Sequence, residues 1–279
     1  MLKIIGLIAL LTSFTGLAWA VKIDNLPSNK ISNIVLNGTS VLQLTFSPGC
    51  PLLGCDSESS KDYLNTGYGQ KGSTFYGKKL NVSAFTTNFK FRINGTGNGW
   101  NPDNTTTGGD GFAFVLQPVS SSALSVGAGP SLGYGGRWGW DFVANQAIWI
   151  GDGIPHSVAI EFDTYHNVSY NDLLRNHVAV DINGDTRHSL NGPLSPVEIP
   201  EDINNGAIYY VWMDYDGKTL EVRLSNTNIR PIVALLTRVI NIPKIIGSNK
   251  AFAGFTASTG GYWENQDIFS WDYTSDTDQ

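Results

Sequence analysis

The chain has 279 residues, of which 41% are hydrophobic, 15% charged and 31 are glycine. That apolar share and low charge density exclude an intrinsically disordered chain, and the abundance of Gly, Asn, Ser and Thr excludes a helical bundle or coiled coil. The acidic balance, 18 basic against 24 acidic residues for a net charge of −6, is wrong for a nucleic acid or an anionic membrane surface as partner.

Residues 1–20 read as a cleaved signal peptide rather than as part of a fold. Lys3 supplies a positive start, 4–17 is largely apolar, and Ala18-Trp19-Ala20 fits a small-x-small cleavage site. A membrane anchor would need about 20 apolar residues. This run is shorter, and the cleavage signal follows it directly. No later stretch is apolar enough to span, and the polar segment 274–279 carries no anchor, so the expectation is a secreted chain of residues 21–279, extracellular or periplasmic. Export permits a disulfide, and Cys50 and Cys55 are the only cysteines. They lie in a turn-rich segment where a bridge would fix a surface loop. A metal site is the rival reading, weakened by the lack of a nearby histidine.

Downstream, period-two alternation dominates. Asn88-Phe-Lys-Phe-Arg-Ile93, Gly111-Phe-Ala-Phe-Val-Leu116 and Leu220-Glu-Val-Arg-Leu224 read as strands bounded by Gly, Asn or Pro. Asp214-Tyr-Asp-Gly217 reads as a hairpin turn between strands over 209–213 and 219–224. A helical turn is conceivable only within 233–246, and there Pro243 interrupts it. Two long polar segments, 94–109 and 133–153, break the rhythm. The second contains Trp138, Trp140 and Trp149, which argues against disorder. With no linker and no repeat, the reading is a single all-β domain, an antiparallel β-sandwich.

The most informative segment runs from Ser157 to Ile182. Alternation places Val158, Ile160 and Phe162 on one face of a strand and Ala159, Glu161, Asp163 and Tyr165 on the other. A second strand carries His177, Ala179 and Asp181 on a single face. Joined by a loop bearing Asn167 and Asp172, the two would bring Glu161, Asp163, Asp172 and His177 together, and carboxylates so gathered repel unless a cation neutralises them. Hard oxygen donors from Asp163, Asn167, Asp172 and the Tyr165 carbonyl suit Ca²⁺. An imidazole beside Glu161, Asp163 and Asp172 suits a transition ion such as Mn²⁺.

Glu161-Phe-Asp-Thr-Tyr-x-Asn-x-x-Tyr-Asn-Asp-x-x-x-x-His177-Val resembles the metal-binding signature of the legume-type (L-type, concanavalin-like) lectins. Gly109-Asp-Gly-Phe-Ala-Phe114, Val211-Trp-Met-Asp-Tyr-Asp-Gly217 and Gly254-Phe-Thr-Ala-Ser-Thr-Gly-Gly-Tyr262 resemble further segments of that family, in order, across nearly all of residues 21–279. The resemblance implies a jelly-roll sandwich that binds glycans without catalysis and holds calcium and manganese. It implies that Asp110, after a cis Gly109–Asp110 peptide, accepts hydrogen bonds from two sugar hydroxyls. Asn167 would donate its amide to a sugar while its oxygen binds calcium, and the Tyr165 ring would meet the apolar sugar face. Backbone amides at Gly129, Gly260 and Gly261 would complete the pocket. The segment 137–152 looks like an insertion, expected to form an aromatic flap that serves as a second subsite or as an interface between subunits of a homo-oligomer.

Two other readings compete. Glycoside hydrolases on the same sandwich carry Glu-x-Asp-x-Glu or Glu-x-Asp-x-x-Glu on one strand, but here positions 165 and 166 are Tyr and His. A structural or adhesive domain that has lost sugar binding would have no need of Asp110 and Asn167 beside the metal-ligand set. Asn-x-Ser/Thr sequons at Asn37, Asn81, Asn94, Asn104 and Asn167 decide nothing, since the last would be blocked by calcium.

Overall fold

The structure, a computed structural model, describes residues 19–23, 34–38, 69–98, 108–141, 143–174 and 176–275. Cys50 and Cys55, most of the expected signal peptide and the sequon at Asn104 lie outside that set. Every strand pair among the described residues is antiparallel. One sheet has six strands, numbered in chain order through the molecule: β1 (Trp19–Ile23), β16 (Tyr262–Ser275), β5 (Phe85–Asn98), β12 (Ile208–Tyr215), β13 (Thr219–Ser225) and β14 (Leu236–Val239), in that spatial order. The facing sheet has eight: β11 (Val197–Glu198), β10 (His177–Ile182), β9 (Val158–Asp163), β6 (Gly111–Gln117), β15 (Lys250–Ser258), β3 (Lys71–Tyr76) and β2 (Ile34–Gly38), with β4 (Leu80–Asn81) paired to β15. The expected antiparallel β-sandwich is what the chain forms.

Between the sheets lies an aromatic core. Phe89 and Phe91 from the six-stranded sheet meet Phe112, Phe114, Phe162 and Phe255 from the other, with centroid separations from 4.9 to 6.3 Å. Edge-on and offset contacts of this kind suit the ring quadrupoles. Trp271 joins them, and its indole N–H donates to Thr87 Oγ1 at 2.8 Å, so the core's largest ring carries no orphaned donor.

The eight-stranded sheet is buried on its second face as well. Phe75, Ala113, Val115 and Ala159 pack there beneath Ala123, Tyr134 and Ile154 from the overlying loops. Strands β6 and β9 are consequently buried at every position, the pattern of a sheet covered on both sides. This loop layer puts Glu161 and Asp163 in the interior rather than on a solvated strand edge.

Three local features differ from the alternation pattern. Strand β5 continues through Asn98 into the segment read as a polar loop, because β16 pairs with it as far as Tyr262–Asn98. Pro243 does not interrupt a helical turn. It opens one, the helix Ile242–Ile246 (α1), where its missing N–H costs nothing and Asn241 Oδ1 caps Lys244 N. The segment 137–152 forms a separate hairpin, β7 (Arg137–Asp141) and β8 (Gln146–Ile150), that joins neither sheet. The expected hairpin turn after Tyr215 is present, with Gly217 at φ +94° and Asp216 Oδ1 accepting from Lys218 N and Thr219 N. Strand pairing of β1 with β16 begins at Trp19, two residues before the expected mature start at Val21.

Candidate functional site

Register assembles the acidic cluster. Antiparallel pairing sets His177 opposite Asp163, Ala179 opposite Glu161 and Asp181 opposite Ala159. On the other flank, Gly111 pairs with Asp163 and Ala113 with Glu161. Alanines on both sides of Glu161 leave room above the sheet for its carboxylate and for side chains from the covering loop. Gly111 is required where it stands, since at φ +121° any Cβ would collide with the Phe162 carbonyl.

The loop after β9 closes over this face. Asp163 Oδ1 accepts from Tyr165 N at 2.7 Å, and Asp172 Oδ2 accepts from Asn167 N at 2.8 Å. A 3-10 turn at Val168–Tyr170, ending on Asn171 in the left-handed region, fills the span between. The result brings Asp163, Asp172 and His177 into one ligand-sized group, and Glu161, His177 and His188 into another. His177 Nε2 lies 3.2 Å from Glu161 Oε1, and His188 Nε2 lies 2.7 Å from the same oxygen.

His188 is the residue that the sequence reading missed. It follows β10 by several residues, outside any strand alternation. Its backbone N–H donates to the Tyr170 carbonyl at 2.8 Å and its carbonyl accepts from Asn171 Nδ2 at 3.1 Å, which draws it onto the acidic face. The available signal was scarcity: the chain has only four histidines, and three of them fall between 166 and 188.

The electrostatics are those of a crowded anionic pocket. Burial pushes Asp163 well above the ordinary carboxylate range, with Asp172 and Glu161 adding to the rise. Burial and then Glu161 move Asp172 up to about 6, and burial and Glu161 likewise raise Asp181. Burial works to raise Glu161 too, but the His188 and His177 rings outweigh it and hold that carboxyl below the usual range. Buried oxygens of Glu161 (Oε1), Asn167 (Oδ1), Asp181 (Oδ2) and Asp110 (Oδ2) accept no hydrogen bond of normal geometry. Orphaned hard acceptors beside two imidazoles form a donor set that fits divalent cations.

Next to this cluster lies Asp110. The Gly109–Asp110 peptide is cis, as the resemblance implies. Asp110 N donates to Ser258 O at 3.3 Å and its carbonyl accepts from Thr164 N at 2.9 Å, so its backbone is held between the ends of β9 and β15. Burial, then Glu264 and Asp172, push its carboxyl well above the ordinary range. Gly109 fits between two tyrosines, where a Cβ would stand 3.2 Å from both Tyr165 Cβ and Tyr262 Cβ. Their rings lie 4.5 Å apart, half-buried, and make an aromatic wall beside Asp110. Tyr262 was not among the residues singled out for contact from the sequence.

Two of the three glycines expected to offer backbone amides turn theirs toward the chain itself. Gly129 N–H donates to the Thr259 carbonyl at 3.1 Å. Gly260 N–H donates to the Tyr262 carbonyl at 3.0 Å while also facing the Asp110 carboxylate. Both amides are engaged within the chain, and what the two residues contribute is the absence of a side chain. A Cβ on Gly260 would stand 3.0 Å from Asp110 Oδ2 and 3.3 Å from Gly129 Cα. Gly261 follows at the turn between β15 and β16. The hairpin β7–β8 reaches the same region. Trp149 packs edge-on at 5.6 Å against Tyr170 of the 3-10 turn, Arg187 sits over its ring at 4.2 Å, and Trp138 lies outside it, 39% exposed.

A family profile described as "Legume lectin domain" matches residues 19–279. Among curated relatives, the chain is 33% identical over 196 residues to L-type lectin-domain containing receptor kinase VIII.1 of Arabidopsis thaliana, covering 69% of this chain and 24% of the relative. The chain thus spans about a quarter of the length of such relatives. Among solved structures, lectin II from Ulex europaeus superposes with a TM-score of 0.65 at 21% identity, covering 93% of this chain and 99% of the other. A Bauhinia forficata lectin in complex with GalNAc superposes with a TM-score of 0.61 at 19% identity, covering 93% of this chain and 100% of the other. No helix among the described residues is long and apolar enough to cross a membrane.

Proposed function

Because this chain belongs to the legume lectin domain family, we propose that it is a secreted, non-catalytic carbohydrate-binding protein whose pocket is built around Asp110. The observation that carries the reading is the Asp110 carboxylate itself. It is buried, one of its oxygens lacks a partner, two glycines leave it open, and the Tyr165–Tyr262 wall flanks it. A buried acceptor without a donor is costly unless a ligand supplies one. A sugar supplies vicinal hydroxyls for such an acceptor and a C–H face for an aromatic ring.

In this reading Asp110 accepts from two adjacent hydroxyls, the Asn167 Nδ2 donates to one, and Gly261 offers its amide. Gly129 and Gly260 keep side chains out of the pocket. Asp163, Asn167, Asp172 and the Tyr165 carbonyl would hold calcium, and Glu161, Asp163, Asp172 and His177 would hold a transition ion such as manganese. When bound, the ions supply the positive charge that the crowded carboxylates need. The chain's own contribution is to fix Asn167, whose backbone N–H donates to Asp172 Oδ2 at 2.8 Å, within the loop that closes over the acidic cluster. Binding of this kind uses neither a nucleophile nor an acid–base pair. The chain spans about a quarter of the curated relatives it matches, and the same kind of domain would serve within a larger receptor; association of copies of the chain is a separate proposal.

Glycan-array binding of the whole chain, with and without chelator, tests the reading. Calcium-dependent binding to a defined set of glycans is expected. Turnover of a glycoside, or no glycan binding by the metal-loaded chain, would overturn it.

A further inference from the structure

We propose that His188 is a second imidazole ligand of the transition ion, and that it shifts the preference of the site from manganese toward zinc. The inference rests on the reading that an ion sits among Glu161, Asp172 and His177, and adds to that set a residue which the signature motif does not contain.

Position is the first argument. His188 Nε2 lies 2.7 Å from Glu161 Oε1, 3.3 Å from His177 Nε2 and 3.6 Å from Asp172 Oδ1. Donor atoms around a single ion with bonds of about 2.0–2.1 Å stand about 2.9–3.4 Å from their neighbours. The two imidazole nitrogens and Glu161 Oε1 form a triangle with edges of 2.7, 3.2 and 3.3 Å, close to one face of such a polyhedron. A merely structural histidine would turn an N–H squarely onto the carboxylate. Here Glu161 Oε1, in a residue only 1% exposed, accepts no hydrogen bond of normal geometry despite two rings within reach.

The second argument is support. Metal-bound imidazoles turn their other nitrogen toward a carboxylate or carbonyl. His188 Nδ1 faces Asp181 Oδ1 at 3.9 Å, and Asp181 is buried on β10, where only Ala159 opposes it. The His188 backbone is clamped on both sides to the loop that carries Asp172, so the ring needs little rearrangement to bind.

Chemistry gives the direction. Each imidazole added to a carboxylate set favours zinc and its later-row neighbours over manganese, which prefers oxygen. Calcium-loaded whole chain, stripped of transition metal, is titrated with Zn²⁺ and with Mn²⁺ by calorimetry, and X-ray absorption counts imidazoles on the zinc-loaded protein. Two imidazoles and a zinc preference of about a hundredfold or more are expected. His188→Ser should weaken zinc by at least about tenfold and manganese by less. A single imidazole on zinc in the unsubstituted chain overturns the inference whatever the variant does. So does unchanged zinc affinity in His188→Ser while His177→Ser has lost the ion, and that outcome leaves the underlying metal reading standing. Failure of the unsubstituted chain to retain either ion rejects the underlying reading itself.

Discussion

Gly260 stands so close to Asp110 that a single added methyl at its α-carbon would lie 3.0 Å from Oδ2. The two residues are far apart in sequence but lie just beyond the paired ends of β6 and β15, and Gly129 meets Gly260 across the same gap. Gly260→Ala should therefore reduce glycan affinity by tenfold or more, about 1.4 kcal/mol, with little change in thermal stability, since the added atom points into the pocket and not into the core. Calorimetry with a glycan found on the array checks this. Affinity equal to that of the unsubstituted chain would place the sugar elsewhere.

Asp110→Asn removes the charge and turns one acceptor into a donor while keeping the shape. Two charge-assisted hydrogen bonds, each worth about 1.5–3 kcal/mol, are lost on binding. Glycan binding should fall below detection, while circular dichroism and the melting curve stay native. Retained binding would remove Asp110 from the pocket.

Removing the ions should abolish sugar binding by a separate route. Asn167 and Asp172 share one loop, and a cation between Asp163 and Asp172 would offset the carboxylate repulsion that adds to burial in raising both groups. Treatment with EDTA should end binding, and calcium together with a transition ion should restore it. Acid should act like EDTA, because protons compete for the ligand atoms. Full affinity in a verified metal-free sample would contradict this.

Glu264 gives a pH dependence that does not run through the ligand cluster. Burial pushes its carboxyl up to about 7, against hydrogen bonds that include one from Thr164 Oγ1 at 2.7 Å. A folded-state value above the unfolded one means that the group's stabilising contribution is complete below the unfolded pKa. It is lost as pH rises through about 7. Stability should thus fall from pH 5 to pH 8 by an amount on the order of 1–3 kcal/mol from this residue. Glu264→Gln should flatten that part of the profile and raise the melting temperature at pH 8. An unchanged slope in denaturant titrations across that range would show that Glu264 is not the group responsible.

Strand alternation made the sandwich legible because each strand buries a period-two face, as in Asn88-Phe-Lys-Phe-Arg-Ile93. It also brought Glu161, Asp163 and His177 to one side, since register follows from the pairing of two short strands. It could not show why that side is interior. The covering layer of Ala123, Tyr134 and Ile154 comes from loops with no period at all. His188 and Tyr262 escaped for the same reason: their place depends on where a turn returns, through contacts such as His188 N to Tyr170 O, and not on spacing along a strand. The extension of β5 to Asn98 was hidden because its Gly and Asn residues lack strand propensity and are held by pairing with β16.

The hairpin β7–β8 separates two roles that its tryptophans could play. Trp149 is the inner ring. It meets Tyr170, which lies between Asn167 and Asp172, and Arg187 covers its face next to His188. Trp138 meets Trp149 edge-on at 5.8 Å and turns outward. The Arg137–Asp152 ion pair at 3.0 Å and the Gly136 amide bond to the Gly184 carbonyl fasten the base, so the hairpin is tied to the turn after β10. Trp149→Ala should accordingly loosen the metal loop and lower calcium affinity, with sugar affinity falling in parallel at limiting calcium and recovering in excess. Trp138→Ala should leave calcium affinity and monosaccharide affinity alone and weaken only longer glycans that reach past the pocket. If Trp138→Ala instead changes the sedimentation coefficient with binding intact, the outer ring belongs to a contact between copies of the chain. Equal metal affinity in Trp149→Ala would show that the loop around Asp172 holds its shape without the hairpin.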